Sequence, residues 1–174
     1  MPTARARPTM AIVLLTMLLA SHTASCLVRH GVVGCQPSGN LLGRSGNCET
    51  SNSPDCCVDG KQYLQFLCSP PVSLVTCAVL TVNGFSKGKD GGLPSECDST
   101  GMSRCSRSIK ITVKGGSSVY AKVVDECDSV DGCDAEHNYE EPCAYNVVDA
   151  SPAVWDALGL DQNIGLQDVI WSDE

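Results

Sequence analysis

Two carboxylates and a set of thiols are the reactive groups of this 174-residue chain. Asp125 closes the run Val119–Val124, and Asp149 closes Asn146–Val148. A pair of carboxylates at strand ends can divide acid and base duties in glycoside cleavage, provided that their separation and environments suit the two roles. The same residue type at a strand end also caps turns through its carboxylate. Asp149 lies two residues before Ser151, which suits capping of whatever follows. Asp125 and Asp149 are therefore the candidate catalytic residues, with a structural role favoured for both.

The stretch Asp125–Glu141 gathers Asp125, Glu126, Asp128, Asp131, Asp134, Glu136, Glu140 and Glu141. Calcium takes such oxygen ligands. Counting back from Gly132, however, places Cys127 and Ser129 where the helix–loop–helix calcium motif needs Asp or Asn. The expectation is a solvated surface loop, clipped if Cys133 pairs with Cys143. A second use would be to face a basic patch on a partner protein. His137 is the one histidine of the second half, and no G-x-S-x-G occurs, so no nucleophilic triad is supported. The glycine run Gly84–Gly92, with Lys87 and Lys89, lacks the G-K-[ST] ending of a phosphate loop.

All 12 cysteines lie at Cys26 or later. No C-x-x-C pair occurs, and His22, His30 and His137 are scattered, so neither a metal nor another cofactor is expected. An even number of thiols in an exported chain reads as a disulfide framework. Export is indicated by the N-terminus. Arg5 and Arg7 in a polar start precede the apolar run Met10–Ala20 and the small residues Ser21–Ser25. That order is a secretory signal peptide over residues 1–25, and an eleven-residue run broken by Thr16 is too short to span a bilayer. Cleavage is expected after Ala24 or Ser25. Loss of Arg5 and Arg7 leaves ten basic side chains against 20 acidic ones, a net charge of −10. Such a field does not draw the chain to nucleic acid or to anionic membranes.

The elements that must position these groups divide near Ser69–Pro71. Residues 26–71 are rich in Gly, Ser, Asn and Cys, with one apolar patch at Tyr63–Leu67. So short a segment depends on bridges for its stability. Residues 72–174 read as β structure. Val72–Phe85 is a first strand. Ser108–Lys114 alternates apolar and polar positions, Gly115–Gly116 turns the chain, and Ser118–Asp125 completes a hairpin. Asn146–Asp149 and Leu166–Trp171 are further candidate strands. Ser151 as N-cap, Pro152 at the first helical position and Gly159 as terminator bound one short helix. Several strands, Gly-rich turns and one helix argue for a small, mainly β barrel.

These residues also carry a resemblance. Cys35–Gly39, Asp55–Cys57, Cys68–Pro71, Asp90–Gly92, Pro94–Asp98, Ala121–Ser129, Gly132–Asp134, Asn146–Ser151, Ala153–Trp155 and Trp171–Asp173 occur in the order found in the kiwellin, or ripening-related, family of secreted plant proteins. The resemblance covers nearly the whole mature chain. It implies a double-psi β-barrel with a disulfide-rich N-terminal extension, and places acids near Asp125 and Asp149 where related barrels act on polysaccharides. Family members carry a longer segment after Pro94–Asp98, which supplies a strand. Here only Ser99–Arg104 precede Cys105, which leaves the barrel one strand short. The family framework accounts for Cys35, Cys48, Cys56, Cys57 and Cys68 in the extension and Cys97, Cys105, Cys127, Cys133 and Cys143 in the barrel. Five and five are both odd, so either one bridge crosses between the parts or a partner is borrowed. Cys26 and Cys77 are additions expected to pair with each other.

The functional expectation is a non-enzymatic protein of the extracellular space, the apoplast, acting in plant defence or development. Its partner would be an extracellular protein, such as an enzyme secreted by a pathogen, and the chain itself a monomer. The alternative is a cell-wall polysaccharide-binding or lytic protein working through Asp125 and Asp149.

Overall fold

The computed structural model describes residues 35–48, 56–68, 71–87, 97 and 104–174. The expected signal peptide, residues 1–25, and Cys26 lie outside the described residues. Strands β1 (Gly39–Leu42) and β2 (Gln62–Gln65) form an antiparallel ribbon. A second sheet holds β3 (Thr76–Val82), β4 (Ser108–Val113), β5 (Ser118–Lys122), β6 (Val147–Ala150) and β7 (Gln167–Asp173) in the order β5-β4-β7-β3-β6. Among the described residues, the β3–β6 pair is the one parallel pair of this sheet. Helix α1 (Pro152–Leu158) and a 3₁₀ turn (Gln162–Ile164) lie between β6 and β7.

Alternation sets the faces of the larger sheet. Ile109, Ile111 and Val113 of β4 point inward, and Ser108, Lys110 and Thr112 point outward. Ala78 and Leu80 of β3 and Val169 and Trp171 of β7 join the inner face. Trp155 and Leu158 of α1 complete this core, and Trp155 and Leu80 are wholly buried. Burial of each such large side chain stabilises by roughly 1.5–3 kcal/mol. Helix α1 leaves β6 at one edge of the sheet yet packs against β5 at the other. The sheet is therefore curled into a half-barrel, consistent with a double-psi β-barrel, and it has five strands among the described residues.

Three local expectations need correction. Ser118–Asp125 is not all strand. β5 stops at Lys122, and Val123 makes the last paired contact, donating to Arg107 O at 2.9 Å. Asp125 thus lies in the loop beyond. Asp149 lies inside β6 and does not end it. Ser151 precedes the helix as expected, but its side chain caps nothing. The Val154 N–H, which a cap would satisfy, turns back instead on the Ser151 carbonyl at 2.9 Å. Gly159 closes the helix in the left-handed conformation, φ 72°.

Candidate functional site

Asp149 is held by β3. Parallel register sets it beside Thr81, and both side chains leave the outer face. Its carboxylate accepts from Thr81 Oγ1 at 2.6 Å and from Asn83 Nδ2 at 2.8 Å. The carbonyl of Thr81 in turn accepts from the indole Nε1 of Trp155 at 2.8 Å. A carboxylate so engaged ties β6 to β3, and its oxygens are less available to take or give a substrate proton. Thr81 and Asn83 were not singled out in the sequence, because a Thr and an Asn at a strand end carry no signal without the β3–β6 register.

Asp125 follows β5, at the sheet edge opposite to β6, and its carboxylate accepts the N–H of Glu126 at 2.9 Å. The two candidates therefore stand at opposite ends of the strand order, on edges that α1 spans.

The acidic loop is where the molecule is most heavily built. The expected Cys133–Cys143 clip does not form. Cys143 pairs with Cys127, and Cys133 pairs with Cys57 of the extension. The remaining bridges are Cys35–Cys68, Cys48–Cys56 and Cys97–Cys105. Cys77 is disulfide-bonded too, but its expected partner Cys26 lies outside the described residues. The odd count on each side is thus resolved by one bridge crossing between the parts.

Around that crossing, the loop is a bed for the β1–β2 ribbon. Phe66 N–H donates to Ser129 O at 2.9 Å, and Ser129 Oγ donates back to Phe66 O at 2.6 Å. Gln65 Nε2 reaches Val130 O at 2.6 Å, and Cys57 N–H reaches Tyr139 O at 2.9 Å. Phe66 stacks obliquely on Tyr145, with ring centroids 5.2 Å apart. Gly46 leaves room for the Tyr139 ring, which any side chain there would strike. The loop is thus not merely solvated. Its backbone is consumed in docking the extension, while Glu126, Asp128, Asp131, Asp134 and Glu136 remain exposed.

Several of these acids shape the loop itself. Asp128 Oδ1 accepts the N–H groups of Val130 and Asp131 at 2.8 and 2.9 Å. Asp134 Oδ1 accepts those of Glu136 and His137, each at 3.0 Å, and meets the His137 ring at 2.8 Å. The other ring nitrogen of His137 lies 3.7 Å from Asp128. Burial pushes the His137 pKa down, but the hydrogen bond to Asp134 and the charges of Asp134, Asp128 and Asp131 outweigh it, so the net shift is upward. The bonds from the His137 ring and backbone hold Asp134 below its ordinary value. No cluster of three or more ligating side chains suited to a metal ion occurs among the described residues.

The arrangement defines a class: a mainly β half-barrel with a ribbon sewn onto one of its loops by a disulfide. The chain belongs to the kiwellin family, since the Kiwellin-1 family model matches residues 3–174. Putative ripening-related protein 5 of Oryza sativa subsp. japonica is 50% identical over 94% of this chain and 60% of its own length. Putative ripening-related protein 4 of the same plant is 50% identical over 80% and 74%. Kiwellin of Actinidia chinensis var. chinensis is 46% identical over 80% and 66%. The chain thus spans about three-fifths of the first of these relatives. Family membership and the disulfides support a secreted plant protein, and none of these names denotes an enzymatic activity.

Proposed function

We propose that this chain is a non-enzymatic binding protein of the apoplast, acting in plant defence or development by engaging an extracellular protein that presents a basic surface. One observation carries the reading. Five exposed acids stand on a loop whose backbone is fixed by Cys127–Cys143 and by Cys57–Cys133. A charged surface held rigid loses little entropy on binding and steers an oppositely charged partner. The engagement of Asp149 by Thr81 and Asn83 supports a binding role over a lytic one.

The test is capture from apoplastic fluid of infected tissue with the secreted protein as bait. A basic secreted protein should be retained. Retention should weaken on Asp131→Lys with Glu136→Lys and with rising salt. Turnover of wall polysaccharide that disappears in Asp125→Ala would overturn the reading.

A further inference from the structure

A second surface, on the segment that directly precedes the acidic loop and opposite to it in charge, is left over. Between Ser99 and Val124 the chain has five Lys or Arg residues and no Asp or Glu, although its net charge is −8. This stretch contains the β4–β5 hairpin. Antiparallel register places Lys110 beside Tyr120 and Ser172, Ser108 beside Lys122, and Thr112 beside Ser118 and Ile170. Paired residues share a face, and the inward face is taken by Ile109, Ile111 and Val113. Lys110, Lys122 and Tyr120 therefore share the outward face.

That face carries a shallow groove of about 270 Å³, lined by Leu74, Lys110, Thr112, Ile170, Trp171, Ser172 and Glu174. Tyr120 is 63% exposed beside it, with Lys110 Nζ 5.8 Å from its ring centroid. Thr112 and Ser118 present hydroxyls 2.9 Å apart. Arg104 adds nothing here, since it is engaged by Asp173 at 3.5 Å and lies over the Trp171 ring.

We propose that this groove binds an acidic polysaccharide, a chain of uronate sugars. An exposed aromatic ring offers a platform for a sugar face, the hydroxyls exchange hydrogen bonds with sugar hydroxyls, and lysines meet the carboxylates. A protein interface would call for an exposed apolar anchor at its centre, whereas this groove mixes Lys110, Thr112, Ser172 and Glu174 with two aliphatic residues and a Trp171 that is nearly buried. Glu174 is the one acid in the lining and opposes the ligand. It accepts from Ser172 Oγ at 3.2 Å. The net negative charge of the chain also works against a polyanion at long range, so binding is carried by local contacts and weakens with salt.

The test uses the full secreted protein with an oligouronate and its methyl ester, titrated by calorimetry. The ester keeps the sugar shape and removes the charge. The oligouronate should bind at least about tenfold more tightly than the ester. Lys110→Ala and Tyr120→Ala should each weaken binding by about tenfold, and Glu174→Gln should tighten it. The outward positions of Lys110 and Tyr120 make misfolding easy to separate, because unchanged thermal unfolding and disulfide mapping certify the variants. Equal binding of acid and ester, indifference to these substitutions, or retention of acidic proteins alone by the same face would overturn the proposal. The reading of the acidic loop as a protein-binding surface stands or falls separately, since it rests on different residues.

Discussion

At Asp149, chemistry and architecture compete for the same two oxygens. One oxygen accepts from Thr81 and the other from Asn83, both on β3. Removing the carboxylate leaves two part-buried donors without this partner, and an orphaned buried donor costs about 1–3 kcal/mol. Asp149→Ala should therefore lower the unfolding free energy by roughly that amount in denaturant titration. Asp125→Ala, which loses a bond to the adjacent N–H of Glu126 in an exposed setting, should cost less than Asp149→Ala. If both variants keep full stability and wall polysaccharide cleavage vanishes with either, the structural account of Asp149 is wrong. His137 adds a pH signature at the same scale. Its pKa in the folded protein lies above 6.5, so its contribution is fully present below 6.5 and is lost as pH rises through the raised value. Asp134 is held below 3.8, so its contribution is present above 3.8 and is lost as pH falls through the lowered value. The pair is thus strongest between these limits. A His137→Gln variant should lose stability relative to the parent in mildly acidic buffer, and the gap should close in alkaline buffer. A gap independent of pH would show that the ring does not act through its charge.

At the scale of elements, legibility followed how much of each signal was local. The β4–β5 hairpin was readable because Ile109, Ile111 and Val113 alternate strictly with polar residues and Gly115–Gly116 turns the chain. The helix was readable because Pro152 and Gly159 punctuate it. The β1–β2 ribbon was not readable as strands. Each strand is four residues long, and Leu41 and Tyr63 are their only apolar side chains packed on the loop beneath, beside Gln65, which reaches Val130 O. Their pairing is fixed by bridges and by the acidic loop, which act over long sequence distances. Ser151 failed as a cap for a related reason. With Pro152 removing one donor and the Ser151 carbonyl taking Val154 N–H, the first turn closes on backbone alone. The candidate site follows the same rule. Asp149 was visible as a residue type, while Thr81 and Asn83 became its partners only through the parallel register of β3 and β6.

For the whole molecule, the governing fact is the covalent crossing that the framework thiols make among the described residues. Two bridges lie inside the extension, and two more, Cys97–Cys105 and Cys127–Cys143, lie inside the half-barrel part. The odd thiols left over, Cys57 and Cys133, join the two across 76 residues. Parity in the sequence required some such crossing if every framework thiol was to pair within the set, but it could not say which thiols would make it. In the chain-entropy account a loop of this length is worth about 4.5 kcal/mol, against less for the eight-residue separation of Cys48–Cys56. The crossing also aligns the ribbon so that Phe66, Gln65 and Cys57 can meet Ser129, Val130 and Tyr139. Replacing both Cys57 and Cys133 by Ser should therefore release the ribbon as a unit while the half-barrel core, whose residues lie elsewhere, persists. Limited proteolysis of the secreted variant should cut within residues 35–68 early and leave a fragment containing Trp155 and Trp171 with native fluorescence. The Cys48→Ser, Cys56→Ser variant should resist the protease far better. Simultaneous loss of both tryptophan signals in the first variant would show instead that the ribbon and half-barrel unfold together, and that the crossing bridge supports the core as well as the surface it presents.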